Sequence, residues 1–411
     1  MLEFGAGSAG WREAPSHRQW LRGMADGMFD FFEAESLDPG GGFHAIDAKG
    51  RAIRGETARP LHATARMVHC FAIGQLLGRP RAAEFVDHGM QALLKRHRDA
   101  KHGGYFWSFD ENGPRERDKL AYGHGFVLLA AASAKCVAHP DADWLLADIS
   151  DVIEKRFWEG SHGASAEEFR EDWTAFSNYR GQNANMHLTE ALMAAFEATG
   201  ERGYLKKAES IADLLLLRKA AEANWQVPEH YDAAWRVDRR YKGSDMFRPA
   251  GTTPGHALEW TRLALQLWEL GGRKIDGLPE AARRLFEQAT TLGWDAARGG
   301  FYYTLDWSGA PAIRDRLWWP CCEGVGAAAF LQALVGGGAY EDWYRRIWQF
   351  CDDHLIDRRD GGWHPQLDDE LQPTPGYFVG RPDLYHALQA CLIPLHPTTG
   401  SLIRALRGAQ A

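Results

Sequence analysis

The chain has little of what most often announces a function. Cysteine is scarce: six in 411 residues, at Cys70, Cys136, Cys321, Cys322, Cys351 and Cys391. None stands in the C-x₂-C spacing of a zinc site. Most fall in apolar helical stretches and read as buried, reduced thiols of a cytoplasmic protein. The adjacent pair Cys321 and Cys322 reads as packing rather than redox chemistry. No apolar run approaches the length of a spanning helix, and Met1 to Gly7 lack the basic and apolar regions of a secretory signal. The expectation is a cytoplasmic protein with no membrane partner. Excess positive charge is also missing. The 47 basic and 55 acidic residues leave a formal net charge of −8, so nothing points to nucleic acid or an anionic membrane. There is no phosphate-binding G-x-x-x-x-G-K-[ST]. Gly123-His124-Gly125 and Gly324-Val325-Gly326 lack a third glycine and a preceding strand, and read as close helix packing.

Aromatic residues are plentiful: 17 Trp, 20 Phe and 12 Tyr. Rings of this kind pack against the C–H faces of sugars, and they also fill gaps between helices. The chain repeats. A double glycine followed by an aromatic recurs at Gly41-Gly42-Phe43, Gly103-Gly104-Tyr105, Gly299-Gly300-Phe301 and Gly361-Gly362-Trp363. Phe43 to Tyr105 is 62 residues, as is Phe301 to Trp363. Hairpin-like stretches follow, such as Phe106 to Gly113 and Tyr302 to Gly309. Degenerate copies around Glu168-Phe169-Arg170 and Pro228-Glu229-His230-Tyr231 bring the count to six units.

Helical periodicity lies between these loops. It covers 17–35, 64–77 with 82–97, 122–138 with 141–157, 185–199 with 203–217, 256–270 with 278–292, 320–334 with 340–355, and finally 383–394, which is expected beside the first helix. Stretches such as Gly125 to Ala132 are apolar all round, the mark of a helix buried on every side; others are amphipathic. Alternation of the two kinds over about twelve helices predicts an all-α fold, an (α/α)₆ barrel with short β-hairpins at its mouth. The expected organisation is a flexible N-terminus over 1–15, one catalytic barrel domain over 16–398 and a C-terminal tail over 399–411.

Counting from each loop aromatic to the next inner helix gives equivalent positions: Arg66, Tyr122 with His124, His187, His256, Glu323 and His386. If the ring closes, an arginine, three histidines and a carboxylate converge at one end. Imidazoles that titrate near neutrality suit moving protons on and off carbon. Residues three or four apart share a helix face. That sets His187 beside Asn183 and Glu190, His256 beside Glu259, Asp383 beside His386, Trp319 beside Glu323, and His62 and His69 beside Arg66. The balance of carboxylate and helix N-terminus is expected to leave these histidines near neutrality. His17, His44, His97, His102 and His230 read as surface or loop residues. The insert from Arg239 to Thr253 reads as a polar lengthening of its loop.

Three other chemistries remain open at this point. Three histidines and Glu323 are a conceivable metal set, although no His-x₃-His pair exists. An inverting glycosidase on the same toroid would draw two carboxylates from Glu259, Glu323 and Asp383, leaving the histidines idle. A sugar-binding regulator would need no proton-transfer groups.

The motifs Arg66-Met67-Val68-His69, Asn183-Ala184-Asn185-Met186-His187, Pro254-Gly255-His256 with Glu259, Trp319-Pro320 with Glu323, and Pro382-Asp383-Leu384-Tyr385-His386 together resemble the N-acylglucosamine 2-epimerase superfamily, from about Gln19 to Leu395. Within it the chain looks most like the aldose–ketose isomerases acting on D-mannose and on sulfoquinovose. The resemblance implies a barrel enzyme without metal or other cofactor. It would interconvert D-mannose and D-fructose through a cis-enediol(ate), as a monomer or homo-oligomer. The alternatives it implies are a 2-epimerase, a sulfoquinovose isomerase and, more distantly, an (α/α)₆ glycoside hydrolase. By position it implies His386 as the C2/C1 proton shuttle and His256, supported by Glu259, as the ring-opening acid/base. It further implies Arg66, Asn183 and His187 as holders of hydroxyls and enediolate, Trp319 against the sugar, and Glu323 and Asp383 on a histidine or the substrate.

Overall fold

The computed structural model describes Leu2, Phe4 and residues 10–410. Among the described residues there are thirteen α-helices. Six form an inner ring: α2 (Leu61–Leu76), α4 (Ala121–Cys136), α6 (Gln182–Thr199), α8 (Pro254–Leu270), α10 (Trp318–Leu334) and α12 (Tyr385–Leu392). Six form an outer ring: α1 (Pro15–Glu33), α3 (Ala82–Ala92), α5 (Ala142–Val152), α7 (Arg202–Ala212), α9 (Gly277–Gly293) and α11 (Gly338–Phe350). Each inner helix packs on the next, and α12 returns to α2, so the ring closes; α1 is the outer partner of α12. The chain is thus an (α/α)₆ barrel. Sequence decides which helix goes where. α4 and α10 are buried along nearly their whole length, whereas α9 and α11 bury one stripe and leave charged faces outside.

Five of the six inner helices start slightly earlier than periodicity suggests, for example at Leu61 rather than Thr64 and at Pro254 rather than His256, because extended residues lead straight into the helix; α12 instead starts at Tyr385, two residues after the expected 383. These approach segments build a collar. Residues ahead of an inner helix pair antiparallel with the hairpin of the following unit. Arg59–Pro60 meets Ser108–Phe109, Lys119–Leu120 meets Glu168–Phe169, and Arg180–Gly181 meets His230–Tyr231. Thr252 meets Leu305, Arg316–Leu317 meets Gln366–Leu367, and Arg381 meets Ile46 of the first unit. The two degenerate units therefore occupy full places in a six-membered ring, and its last pairing joins the end of the chain to its beginning.

The double glycines are explained by this collar. All eight adopt positive φ, from +68° to +107°, a region that admits glycine without strain. A Cβ on Gly300 would also lie 2.5 Å from the Phe350 ring. An aspartate ahead of each turn ties it to the next helix. Asp99 accepts the N–H groups of Lys101 and His102 and pairs with Lys119 at 2.8 Å; Asp295 accepts those of Ala297 and Arg298 and pairs with Arg316. Asp38 with Arg59 and Asp357 with Arg381 repeat the device.

Several expectations change here. His17, His97 and His230 are buried rather than surface residues, because outer-helix ends and the collar fold over them. They bond to Tyr344, to Phe106 and Thr64, and to Tyr179 and Pro249, respectively. The expected C-terminal tail contains a helix, α13 (Leu402–Gln410), whose Leu402, Ile403 and Leu406 are buried against the core. Of the expected flexible N-terminus, Met1, Glu3 and residues 5–9 lie outside the described residues. Trp11 in the same segment is buried, 5.0 Å from the Phe4 ring. No described helix is long and apolar enough to cross a membrane.

Candidate active site

Helical side chains lean toward the N-terminus, so residues in the first turns of the inner helices project into the mouth. His256 and His386 sit in the first turns of α8 and α12, and Asn183 and His187 in the first two turns of α6. Eight of the nine residues singled out by sequence line one cavity there: Arg66, Asn183, His187, His256, Glu259, Trp319, Asp383 and His386. The ninth, Glu323, stands behind His386, its Oε1 2.8 Å from Nδ1.

His256 is built the same way from a different source. Its Nδ1 lies 2.9 Å from Oε1 of Glu229, and not against Glu259 as helix spacing suggested. The reason is directional. A first-turn imidazole leans out of the helix end, away from Glu259 one turn further in, and meets the collar residue Glu229. Gln182 donates to the same carboxylate at 2.8 Å and is itself fixed by Trp260 Nε1–H. An ionised carboxylate only accepts, so Nδ1 carries the proton in both histidines and Nε2 is the basic nitrogen. The Trp319 ring stands 5.1 Å from His256 and 5.8 Å from His386, on the wall between them.

Asp383, expected beside His386, instead holds Arg66 at 3.0 Å and accepts the Tyr385 N–H at the start of α12. Arg66 also donates to Tyr122 Oη at 3.0 Å and lies over the Phe126 ring. Of the histidines flanking Arg66, His62 faces the cavity, while His69 turns inward to Ser133. Glu259 lies 3.6 Å from Nδ1 of His187, and Glu190 3.8 Å from it.

Burial dominates the titration of these groups. It takes His187 down to about 4 and lowers His386 against the opposing pull of Glu323. Both are therefore neutral imidazoles at physiological pH, His187 well below the near-neutral value expected of it. Burial pushes Glu323 upward, but Arg262 and His386 outweigh it and hold the carboxylate below its ordinary range. Burial and the neighbouring Glu323 drive Glu259 well above that range, so it carries a proton. Asp383 stays low because Arg66 overcomes its burial.

Several polar atoms on the cavity wall have no hydrogen-bond partner in the protein: Arg66 Nε, Asn183 Oδ1, His187 Nδ1, Glu259 Oε1 and His62 Nδ1. Buried polar groups normally find partners, so this concentration marks a surface complementary to a small, hydroxyl-rich ligand. Two sets of side chains, His187–Glu190–Glu259 and Glu259–Glu323–His386, bring possible metal-ligand atoms within 4.8 Å of one another. The guanidinium of Arg262 already sits among those carboxylates, 3.1 Å from Glu323, 3.4 Å from Glu190 and 3.8 Å from Glu259. An internal cation thus supplies the charge that a metal would bring.

Sequence reasoning missed the roles of Glu229 and Arg262, and it read the insert 239–253 as mere length. Met246, Phe247 and Pro249 of that insert line the cavity, and Tyr303 holds it by donating to the Asp245 carbonyl at 2.6 Å. Its one apolar stretch, Met246-Phe247, was the available signal.

This architecture and site define a class before they define a member. Residues 41–390 match the family model of N-acylglucosamine 2-epimerase (GlcNAc 2-epimerase), and the chain belongs to that family. Among relatives, it is 42% identical over 407 residues to a D-mannose isomerase of Pseudomonas cannabina pv. alisalensis, covering 97% of each chain. It is 39% identical to a D-mannose isomerase of Thermobifida fusca, covering 96% of this chain and 98% of that one. A crystal structure of D-mannose isomerase superposes with a TM-score of 0.86 at 31% identity, covering 92% of this chain and 97% of the other.

Proposed function

We propose that the chain is an aldose–ketose isomerase that interconverts D-mannose and D-fructose through a cis-enediol(ate). One observation carries the reading: two imidazoles, each with Nδ1 held by a buried carboxylate, face one cavity on either side of Trp319. His256 moves a proton between O5 and O1 to open the pyranose ring. His386 Nε2 removes the C2 proton; O1 is protonated, giving the enediol. O2 then loses its proton, and His386 returns the C2-derived proton to C1, which gives the ketose. Arg66, His187 and Asn183 hold hydroxyls and the developing enediolate, and protonated Glu259 is placed to donate to an oxygen.

The geometry weighs against a hydrolase. Of its three candidate carboxylates, Glu323 is committed to His386 and Arg262, and Asp383 to Arg66. The close relatives named D-mannose isomerase favour isomerisation over 2-epimerisation. We further read residues 16–398 as the catalytic domain, acting without metal, and a reducing cytoplasm suits the six unpaired thiols.

The test is incubation with D-mannose in D₂O, with and without EDTA. Fructose is expected as the first product, with deuterium entering only at C1 or full internal transfer from C2, and with a rate indifferent to EDTA. Glucose appearing first would make the protein an epimerase. Activity lost to EDTA and restored by a divalent ion would overturn the metal-free mechanism.

A further inference from the structure

Arg262 is a fully buried charged side chain with no part in the mechanism above. It is 1% exposed, lies on α8 two turns below His256, and does not line the substrate cavity. It lines instead a separate cavity of about 330 Å³ toward the closed end of the barrel, between the inner helices and α13. From there it reaches up to the catalytic floor. Its Nε donates to Oε2 of Glu323 at 3.2 Å, and Nη2, which makes no hydrogen bond of its own, stands 3.1 Å from the same oxygen as an ion-pair contact; the other oxygen of Glu323 holds His386. Its Nη1 reaches Glu190 at 3.4 Å and Gln266 at 3.2 Å, and Gln266 is tied in turn to the Gly400 carbonyl.

We propose that Arg262 is a positioning residue for the proton shuttle: by holding one oxygen of Glu323 through the Nε hydrogen bond and the charge of the guanidinium beside it, it aims the other at His386 Nδ1 and so fixes both the tautomer and the direction of the basic Nε2. This role rests on His386 being the base of the proposed isomerase.

The charges around the clamp say why a cation is needed there. Glu190 from α6, Glu259 from α8 and Glu323 from α10 all face the guanidinium, and Tyr385 from α12 bonds to Glu190. On the far side of His386 the Arg66–Asp383 pair is internally neutral. His187 and His69 are neutral imidazoles, each held near 4 by burial. Glu259 already carries its proton, and the two remaining buried carboxylates, Glu190 and Glu323, cannot both stay ionised side by side without a cation among them. With Arg262 gone, the pair of Glu323 and His386 takes up a proton more readily. Its titration, and the acid limb of the rate profile, move to higher pH.

The experiment compares wild type, Arg262→Ala and Arg262→Lys on D-mannose across pH. It also follows the imidazole signal of His386 in histidine-labelled protein, assigned by its loss in His386→Gln. Expected for Arg262→Ala are a fall in kcat of roughly 10- to 100-fold, typical of losing the partner that orients a functional imidazole, with KM little changed. The acid limb and the His386 titration should rise together by about one pH unit. Millimolar methylguanidinium, which can enter the space left beside the lower cavity, should restore part of kcat in Arg262→Ala and none in His386→Ala. Arg262→Lys keeps the charge but not the Nε hydrogen bond, so its acid limb should stay in place while kcat falls severalfold. A folded Arg262→Ala with unchanged kcat, or with the limb and the His386 titration unmoved, overturns the proposal. If Arg262→Ala does not fold, full wild-type kcat in Arg262→Lys overturns it instead. A wild type inert on D-mannose would sink the isomerase reading, while the His386 titration would still decide the clamp.

Discussion

At the residue scale the site turns on how an imidazole is held. His256 and His386 each present a first-turn ring whose Nδ1 meets a carboxylate from another element, at 2.9 and 2.8 Å. Orientation of this kind is what makes a histidine a directed base rather than a buried polar group. Glu229 is then as important to His256 as Glu323 is to His386. Glu229→Gln keeps the shape but removes the charge, and should lower kcat roughly 10- to 100-fold with little change in KM. Gln at the exposed Glu222 is the control and should be silent. Equal activity in both variants, measured on D-mannose, would mean that His256 needs no partner. Glu229 could not be found from the chain alone, because spacing along one helix points to Glu259, and the true partner comes from the collar 27 residues upstream. Arg66, His187, His256 and His386 were legible because each recurs at an equivalent place in its repeat. Arg262 recurs nowhere and looks, in sequence, like any arginine on an apolar helix.

At the scale of the element, the loop between outer and inner helix sets where the functional residues sit. The aspartate at the start of each double-glycine turn holds the turn and, through a buried cation, the residue two places before the next inner helix in α2, α4 and α10. In the second unit the pair is Asp99 with Lys119, the lysine fully buried and the aspartate nearly so. Breaking such a pair leaves an uncompensated charge and costs about 3–5 kcal/mol. Asp99→Ala should therefore lower the urea midpoint markedly. Asp99→Asn keeps an oxygen for the two turn N–H groups and should fall in between. An Asp99→Ala protein as stable as the parent would show that the turn, not the ion pair, holds α4. The glycines of this device were legible because only they tolerate positive φ. The ion pair was not, since aspartate and lysine stand 20 residues apart and nothing in their local pattern marks them as partners.

For the whole molecule, closure of six units buries far more histidine than a chain of this composition suggested. The ring was legible because the repeat length is regular and the apolar helices alternate with amphipathic ones. The fate of side chains such as His17 and His97 was not, because it depends on which outer-helix end folds over which inner helix. That burial has a thermodynamic consequence. Burial lowers His62, His97 and His124 to about 3 and His17, His69 and His187 to about 4. A group whose folded pKa lies below its unfolded value of about 6.5 stabilises the fold fully above that pH. The contribution is lost as pH falls toward the folded value. By pH 5 each such imidazole has given up on the order of 2 kcal/mol, and six together rival the roughly 5–15 kcal/mol that separates folded from unfolded chains. Glu167, raised to about 7 by its burial, works the other way. Its contribution is present below its unfolded pKa and lost as pH rises toward 7, and Glu259, held protonated by burial and Glu323, acts in the same sense, so the two offset about two of the six. The urea midpoint should therefore fall steeply between pH 6.5 and pH 5, well before ordinary carboxylates are protonated. Replacing His97 by Gln, which cannot take up a proton, should flatten that slope even if it lowers the midpoint at pH 7. A midpoint constant from pH 7 to pH 5 would mean that these imidazoles are not held neutral in the folded barrel.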